Sequence, residues 1–251
     1  MNKVVLVTGA SRGLGRAIAV ELAKEGYALA VNYQGNAAAA EEAVRLCRAE
    51  GVPAEAFQAD VAERDQAQRL IADVIAGMGG LYGVVANAGI GSKFAYIMET
   101  DPAEWKRMID VNLHGVFHVF HAASPHLVER KSGRMIAISS YATRVHNPGF
   151  GPYCVSKAAV DALVSVMGKE MAQYGVRVNA VAPGLFDSEM GRRVFDRYGE
   201  EAVNRSIPAQ RAGRPEEVGW LVAYLLSDKA DYITAEIIPI NGGGRGVILR
   251  P

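Results

Sequence analysis

The sequence contains little cysteine and no excess of charge of either sign. Only Cys47 and Cys154 are present, far apart along the chain, which gives no disulfide framework or metal-type spacing and favours the reducing cytoplasm. Lysine plus arginine (27) balances aspartate plus glutamate (27), so no overall basic field draws the chain to nucleic acid or to an anionic membrane. We therefore expect a small molecule as the main binding partner.

Long apolar runs and low-complexity segments are also missing. The N-terminal run VVLVT, at 4–8, is too short for a signal sequence or a membrane span, so we expect neither export nor membrane association. The 251 residues, half of them hydrophobic, show no linker or repeat and can bury a sizeable core. One domain over residues 1–251 is the simplest interpretation.

Short β-branched runs alternate with longer amphipathic stretches along the chain. Strands that alternate with helices indicate a parallel sheet, and nearly continuous apolar runs are typical of strands covered on both faces. We therefore predict an α/β fold that is doubly wound, with helices on both faces of the sheet. Its seven strands are expected at 4–8, 28–33, 54–60, 83–88, 134–140, 177–183 and 236–241.

A glycine-rich turn directly follows the first strand. TGASRGLGRAIA places Gly9, Gly13 and Gly15 at the opening of a helix, where glycine lets the backbone turn sharply and approach a pyrophosphate. The spacing differs from the common dinucleotide fingerprint, and a glycine triplet also occurs in ordinary strand-to-helix turns. Its position in a βαβ unit favours a dinucleotide site.

A serine, a tyrosine and a lysine are spaced for proton transfer. Tyr153 stands four residues before Lys157, which places both on one face of a predicted helix. A neighbouring ammonium favours the phenolate, so we expect the pKa of Tyr153 to be lowered toward the working pH. Ser140 ends a predicted strand, and the intervening loop would bring the two hydroxyls together beside a substrate pocket. Each residue alone is more often structural.

Taken together, these features make the chain similar to the short-chain dehydrogenase/reductase family. The resemblance spans nearly the whole chain and also includes Asp60-Val61, Asn87-Ala88-Gly89, Asn112 and Pro183-Gly184 in the family's order. It implies a Rossmann-type fold and hydride transfer between a nicotinamide and a carbonyl carbon. Negative charge then grows on the substrate oxygen, which needs a hydrogen-bond donor and a proton source.

The resemblance implies specific roles for individual residues and no metal. Tyr153 would be the general acid/base and Ser140 would polarise the carbonyl. Lys157 would bind the nicotinamide ribose, and Asn112 would hold a proton-relay water. The implied cofactor-binding residues lie in the glycine-rich turn and after successive strands: Gly9, Ser11, Arg12, Gly13, Leu14, Gly15, Asn32, Tyr33, Asp60, Val61, Asn87, Ala88, Gly89, Tyr153, Lys157, Pro183, Gly184 and Ser188.

The end of the second strand bears on the choice between NAD and NADP. An acidic residue there binds the ribose hydroxyls of NAD and repels a 2′-phosphate. Asn32 takes the expected position, and no acidic residue lies between Glu25 and Glu41. Since Arg12 in the glycine-rich turn could bind the 2′-phosphate bidentately, we expect NADP(H). The alternative is a solvated Arg12 and an Asn32 that merely ends a strand.

The substrate is the least specified part of the prediction. Residues 185–213 are expected to form a lid, with Ser188 near the nicotinamide amide. The stretches VNYQGN, RAGRPEEV and YITAEIIPINGG resemble the family's 3-oxoacyl-thioester reductases, which favours such a substrate. If the thioester is held on an acyl carrier protein, which is acidic, we expect Lys131 and Arg134 to dock it. Tyr174 stands where carrier-handling relatives often have arginine. An alcohol, sugar or steroid dehydrogenase and a non-catalytic cofactor-binding protein stay as alternatives.

The helix that follows Tyr153 predicts an oligomer. Its apolar residues lie on more than one face, as in a helix with the sheet on one side and a second subunit on the other. We expect a homodimer or homotetramer, with the helix at 101–130 in the same interface. His114, His118 and His121 share one face of that helix, but no carboxylate is apparent beside them, so we expect no metal.

Overall fold

The computed structural model describes residues 3–244 and contains one seven-stranded sheet. Neighbouring strands are parallel, in the order β3-β2-β1-β4-β5-β6-β7. The predicted fold class is confirmed, while residues 1–2 and 245–251 of the expected domain lie outside the described residues. The strands are β1 Val4–Val7, β2 Ala28–Tyr33, β3 Ala54–Gln58, β4 Gly83–Ala86, β5 Gly133–Ile138, β6 Val176–Pro183 and β7 Ile237–Ile240.

Helices cover both faces of the sheet. The helices are α1 Gly13–Lys24, α2 Ala37–Ala49, α3 Arg64–Met78, α4 Pro102–Ile109, α5 Gly115–Glu129, α6 Ala142–Val145, α7 Gly151–Ala172, α8 Glu189–Tyr198, α9 Glu200–Ser206 and α10 Pro215–Leu226. One core packs under α3, α5 and α7 and the other under α1, α2 and α10. Because successive side chains of a strand point to opposite faces, Leu6 of β1 enters the first core and Val7 the second.

The strand order places a crevice at the carboxyl ends of the central strands. From β1 the chain moves outward to β2 and β3, then returns to β4 on the other side of β1. The connections after β1 and β4 therefore diverge, and ligands of doubly wound sheets bind at such a point. The motifs that follow β1, β3, β4, β5 and β6 meet at this edge.

The expected lid segment is helical rather than irregular, since α8 and α9 lie within residues 185–213. Its two ends meet beyond β6, where Asp187 N donates to Gly213 O at 2.9 Å and Gly213 N donates to Leu185 O at 3.0 Å. Phe186, in this segment, is buried in the core under α1, α2 and α10. The segment is thus a helical excursion with a fixed base.

No helix within residues 3–244 is both long enough and apolar enough to cross a membrane.

Candidate active site

The glycine-rich turn has the geometry of an anion cradle. Gly9 and Gly13 have φ of 61° and 57°, in the left-handed region that favours glycine. A Cβ on Gly9 would lie 2.9 Å from Ala88 Cα, whereas nothing lies within 4 Å of the Cβ position of Gly13. The first turn of α1 has no acidic residue and no cap from the Arg12 side chain. The N–H groups of this turn thus have no side-chain cap, and there is open space beside Gly13, which fits a pyrophosphate.

Asn87 ties this turn to the end of β4. Its Nδ2 donates to Thr8 O at 2.9 Å, and its backbone N donates to Thr8 Oγ1 at 3.0 Å. A Cβ on Gly15 would lie 2.4 Å from Asn87 Nδ2, so the helix can start here only with glycine. The sequence analysis missed Thr8, whose only signal is a hydroxyl at the end of a buried strand.

Asn32 does not reach toward a cofactor ribose, contrary to the expectation from its position. Its side chain is 1% exposed, and Nδ2 donates to the carbonyl oxygens of Phe57 and Ala59, both at 3.2 Å. Its Oδ1 accepts from Gly9 N at 3.2 Å. The strand ends at Tyr33 as predicted, but successive side chains alternate between its faces, and the side chain of Asn32 lies on the face that meets β3 and the glycine-rich turn. Asn32 instead holds the glycine-rich turn against β3.

Ser140 and Tyr153 meet as the sequence predicts. Ser140 follows β5, Tyr153 lies in the first turn of α7, and the two hydroxyls are hydrogen-bonded. Ser140 Oγ also accepts from Ala142 N at 3.2 Å, which fixes the hydroxyl at the start of the pocket loop, residues 141–150. The pair forms one wall of the crevice.

The pKa of Tyr153 differs from the sequence expectation. Burial raises it, and the hydrogen bond with Ser140 only partly opposes that effect. Lys157 Nζ points to the sheet instead, donating to Ile138 O at 2.7 Å. Burial lowers the pKa of Lys157 to about 8, opposed by the nearby Asp161. The predicted lowering of the Tyr153 pKa is thus wrong, because desolvation outweighs the hydrogen bond with Ser140 and the ammonium of Lys157 is bonded to Ile138 O instead.

Asn112 lies in a single π-helical turn, Asp110–His114, between α4 and α5. Its Oδ1 accepts from Ile90 N at 2.8 Å and its Nδ2 donates to Ile90 O at 3.0 Å, so it fixes the backbone after β4. Gly89 passes just above: a Cβ there would lie 3.2 Å from Asn112 Oδ1 and 3.5 Å from Lys157 Nζ. Asn112, Gly89 and Lys157 are therefore close neighbours, and a side chain at position 89 would crowd Asn112 Oδ1.

The lid contacts the glycine-rich turn. Arg12 forms an exposed ion pair with Glu189, the first residue of α8. Ser188 caps that helix, since its Oγ accepts from Gly191 N at 3.2 Å. The sequence analysis missed Glu189, because nothing in the local pattern links it to a residue so far away in the chain.

The other predicted cofactor residues lie along the same edge. They follow strands or lie in the glycine-rich turn: Ser11, Leu14, Tyr33, Asp60, Val61, Ala88, Pro183 and Gly184.

Two other expectations need correction. Arg134, expected to dock an acidic carrier, is buried and donates to Asp231 at 2.8 Å. A carboxylate does accompany the histidines, since Asp110 Oδ1 lies 3.2 Å from His114 Nδ1, while His118 Nδ1 contacts Val61 O at 3.1 Å. No group of three or more potential metal ligands was found among residues 3–244.

Comparison with known proteins places this geometry in context. A family model described as "Enoyl-(Acyl carrier protein) reductase" matches residues 9–244. The chain is 42% identical to the 3-oxoacyl-acyl-carrier-protein reductase FabG of Staphylococcus aureus, over 97% of this chain and 98% of that protein. A short-chain type dehydrogenase/reductase from Mycobacterium marinum superposes with a TM-score of 0.91 at 32% identity, covering 96% of this chain and 94% of that one. An NAD+-bound xylitol dehydrogenase superposes with a TM-score of 0.92 at 30% identity, with coverages of 96% and 98%.

The buried amide of Asn32 yields a test of its structural role. In Asn32→Asp a carboxylate would face the two carbonyl oxygens that now accept from Nδ2, so we expect the free energy of unfolding to fall by ~2–4 kcal/mol at neutral pH. Burial should raise the pKa of the new carboxyl above its unfolded value, so the loss should shrink at about pH 5, where the protonated group can donate. Urea unfolding at both pH values measures this.

Asn36→Asp is the matched control for that variant. Asn36 caps α2 by accepting from Ala39 N at 3.0 Å, a role that aspartate also performs, so its unfolding free energy should change little. Equal losses in both variants, or a stable Asn32→Asp protein with altered cofactor preference, would contradict the structural role.

Proposed function

The chain belongs to the short-chain dehydrogenase/reductase family, and on that premise we propose that it reduces a 3-oxoacyl thioester to the 3-hydroxyacyl thioester with NADPH. It is an oxidoreductase of CH–OH and C=O groups that uses a nicotinamide cofactor. The observation that carries the proposal is the hydrogen-bonded Ser140–Tyr153 pair beside buried Lys157, at the edge that also holds the glycine-rich turn.

The two hydroxyls supply what carbonyl reduction needs at oxygen. Ser140 donates a hydrogen bond to the substrate oxygen, and Tyr153 donates a second bond and then its proton as charge develops there. When bound, the nicotinamide supplies the hydride that reaches the carbonyl carbon. The raised pKa of Tyr153 keeps the phenol protonated before reaction, which suits a proton donor. Lys157, as an ammonium, then stabilises the phenolate left behind.

Arg12 supports NADPH over NADH. Its guanidinium stands at the start of α1 and is two-thirds exposed, so a 2′-phosphate can reach it. Glu189 now occupies it, and the phosphate must compete with that carboxylate. The xylitol dehydrogenase that superposes on this chain was solved with NAD+, so the cofactor preference needs its own measurement.

The 3-oxoacyl thioester is supported by the relatives rather than by the pocket alone. The Staphylococcus aureus protein carries a 3-oxoacyl reductase name, whereas the family model description names enoyl reduction. A pair of donors aimed at one oxygen favours a ketone, because that oxygen receives the proton in carbonyl reduction. An acyl carrier protein stays a candidate carrier of the thioester. Lys131, expected to dock it, precedes β5 whereas Ser140 follows β5, so this cation lies at the opposite edge of the sheet from the site.

The proposal also covers the oligomeric state, the cellular compartment and the role of the lid. Apolar side chains on α5 and α7 are exposed, with Phe117 at 45%, Val155 at 46% and Val166 at 56%, which supports a homo-oligomer through these helices. Cys47 and Cys154 are free thiols, which fits a reducing cytoplasm. Residues 185–213 would act as the substrate lid, moving about the fixed base at Gly213.

A substrate panel tests the proposed reaction. With NADPH we expect acetoacetyl-CoA to be reduced faster than simple ketones, keto-sugars or crotonyl-CoA. The rate for a carrier-bound 3-oxoacyl chain should exceed the rate for acetoacetyl-CoA by less than about tenfold. Loss of NADPH absorbance measures each rate. Faster reduction of crotonyl-CoA would favour the enoyl reaction, and brisk ketone reduction without thioester turnover would exclude the thioester.

Tyr153→Phe tests the proton donor. The ring and its packing are kept, so folding and NADPH binding should be unchanged while turnover falls by roughly two to four orders of magnitude. Tyr174→Phe, just beyond the other end of α7, is the control and should retain full turnover. Near-normal turnover in Tyr153→Phe would remove this residue from the chemistry.

Two variants test the 2′-phosphate site. Arg12→Ala should weaken NADPH binding by about tenfold or more, because a charge-assisted contact is lost. Glu189→Gln should tighten NADPH binding by about two- to fivefold, because an exposed competitor is removed. NADH titrations serve as the control and should change little in either variant; matching changes for both cofactors would place the 2′-phosphate elsewhere.

A further inference from the structure

An arginine of the lid rests on an aromatic cluster outside the Ser140–Tyr153 pair. Arg197 Cζ lies 4.1 Å from the ring centroid of Phe94 and 5.4 Å from that of Tyr198. The Phe94 ring meets Phe150 edge-on, with centroids 6.1 Å apart. A cation over two aromatic faces is attracted by both rings, so this contact holds the guanidinium in place.

This cluster lies at the mouth of the crevice. Phe94 packs on the pocket loop so closely that a Cβ on Gly149 would lie 2.3 Å from its ring. Ala95 N donates to Gly149 O at 3.2 Å, and Phe150 precedes the first turn of α7, which carries Tyr153. On the lid side, Met190 covers Gly91, whose Cβ position lies 3.5 Å from the Met190 sulfur. The lid, the pocket loop and residues 91–95 therefore contact one another around Phe94, next to the helix start that carries Tyr153.

Within residues 3–244, Arg197 has no carboxylate partner, in contrast to two of its charged neighbours. Arg192 of the same helix pairs with Asp187 at 3.3 Å, and Lys93 beside Phe94 pairs with Glu104 at 2.7 Å. None of the ion pairs within the described part of the chain includes Arg197, although its guanidinium is fixed by ring stacking. A guanidinium that contacts a ring through its face keeps its N–H edge available, and that edge is the part that binds phosphate or carboxylate bidentately.

We propose that Arg197 forms an anion subsite that binds the phosphate group of the arm carrying the thioester. The inference rests on the proposed function and extends it. With the ketone oxygen at Ser140 and Tyr153, the arm would leave the site between the pocket loop and the lid, past Arg197. Coenzyme A and carrier proteins share a phosphopantetheine arm, so the ligand chemistry is a phosphate ester on pantetheine, from either source.

Paired substrates isolate this contact. In Arg197→Ala we expect kcat/KM for acetoacetyl-CoA to fall about tenfold, mainly through KM, with no change for the N-acetylcysteamine thioester, which lacks phosphate. Arg197→Lys keeps the charge without the planar fork and should lose less. Arg192→Ala removes a cation from the same helix and is the control, with both substrates unaffected. If Arg197→Ala also lowers kcat/KM for carrier-bound 3-oxoacyl chains, the subsite binds the phosphate of a carrier protein's arm as well as that of coenzyme A.

A binding measurement separates this inference from the proposed function. Calorimetry with 4′-phosphopantetheine and with pantetheine, both in the presence of NADP+, should show tighter binding of the phosphorylated arm that Arg197→Ala abolishes. That result without any thioester turnover would refute the proposed reaction but retain the subsite. Equal affinity for the two arms, or equal kinetic losses for both thioesters in Arg197→Ala, would overturn the subsite and leave Arg197 as a contact that only holds the lid.

Discussion

The burial of Lys157 is the constraint on which the arrangement of the candidate site depends. Its ammonium donates to Ile138 O at 2.7 Å, and so attaches the start of α7 to the end of β5. One turn earlier on the same face, Tyr153 then stands against Ser140. One turn later, Asp161 accepts from Ser139. Two successive turns of the helix are thus fixed to the strand end that carries the serine.

The same burial sets the protonation of the site. Desolvation raises the pKa of Tyr153 and lowers that of Lys157 to about 8, because it disfavours the charged form of each group. At neutral pH the phenol therefore holds its proton while the lysine still carries most of its charge. This resting state is suited to giving a proton to a reduced carbonyl. In oxidation the phenol would first have to lose its proton, which the raised pKa opposes.

The strands of the sheet were predicted well from the sequence, because the pattern that defines a strand lies within a few consecutive residues. Short apolar runs bounded by polar turns defined the strands, and the parallel arrangement brought the motifs to one edge. The end of β2 at Tyr33 was predicted, but the direction of the Asn32 side chain was not: it is buried and donates to the carbonyl oxygens of Phe57 and Ala59. The sequence analysis also missed pairs between distant segments, such as Arg12 with Glu189 and Arg197 with Phe94, which no spacing rule encodes. The helix α8, rich in charge and short, gave too weak a pattern to separate from a loop.

Transfer of isotope tests the central claim, hydride delivery to a carbonyl carbon, most directly. The protein would be incubated with acetoacetyl-CoA and NADPH carrying deuterium at both C4 positions of the nicotinamide, and the product analysed by mass spectrometry and NMR. The account predicts one deuterium on the carbon that bears the new hydroxyl, with the hydroxyl proton taken from solvent through Tyr153. Deuterium at another carbon of the product, or NADPH that stays unconsumed across carbonyl substrates, would contradict it.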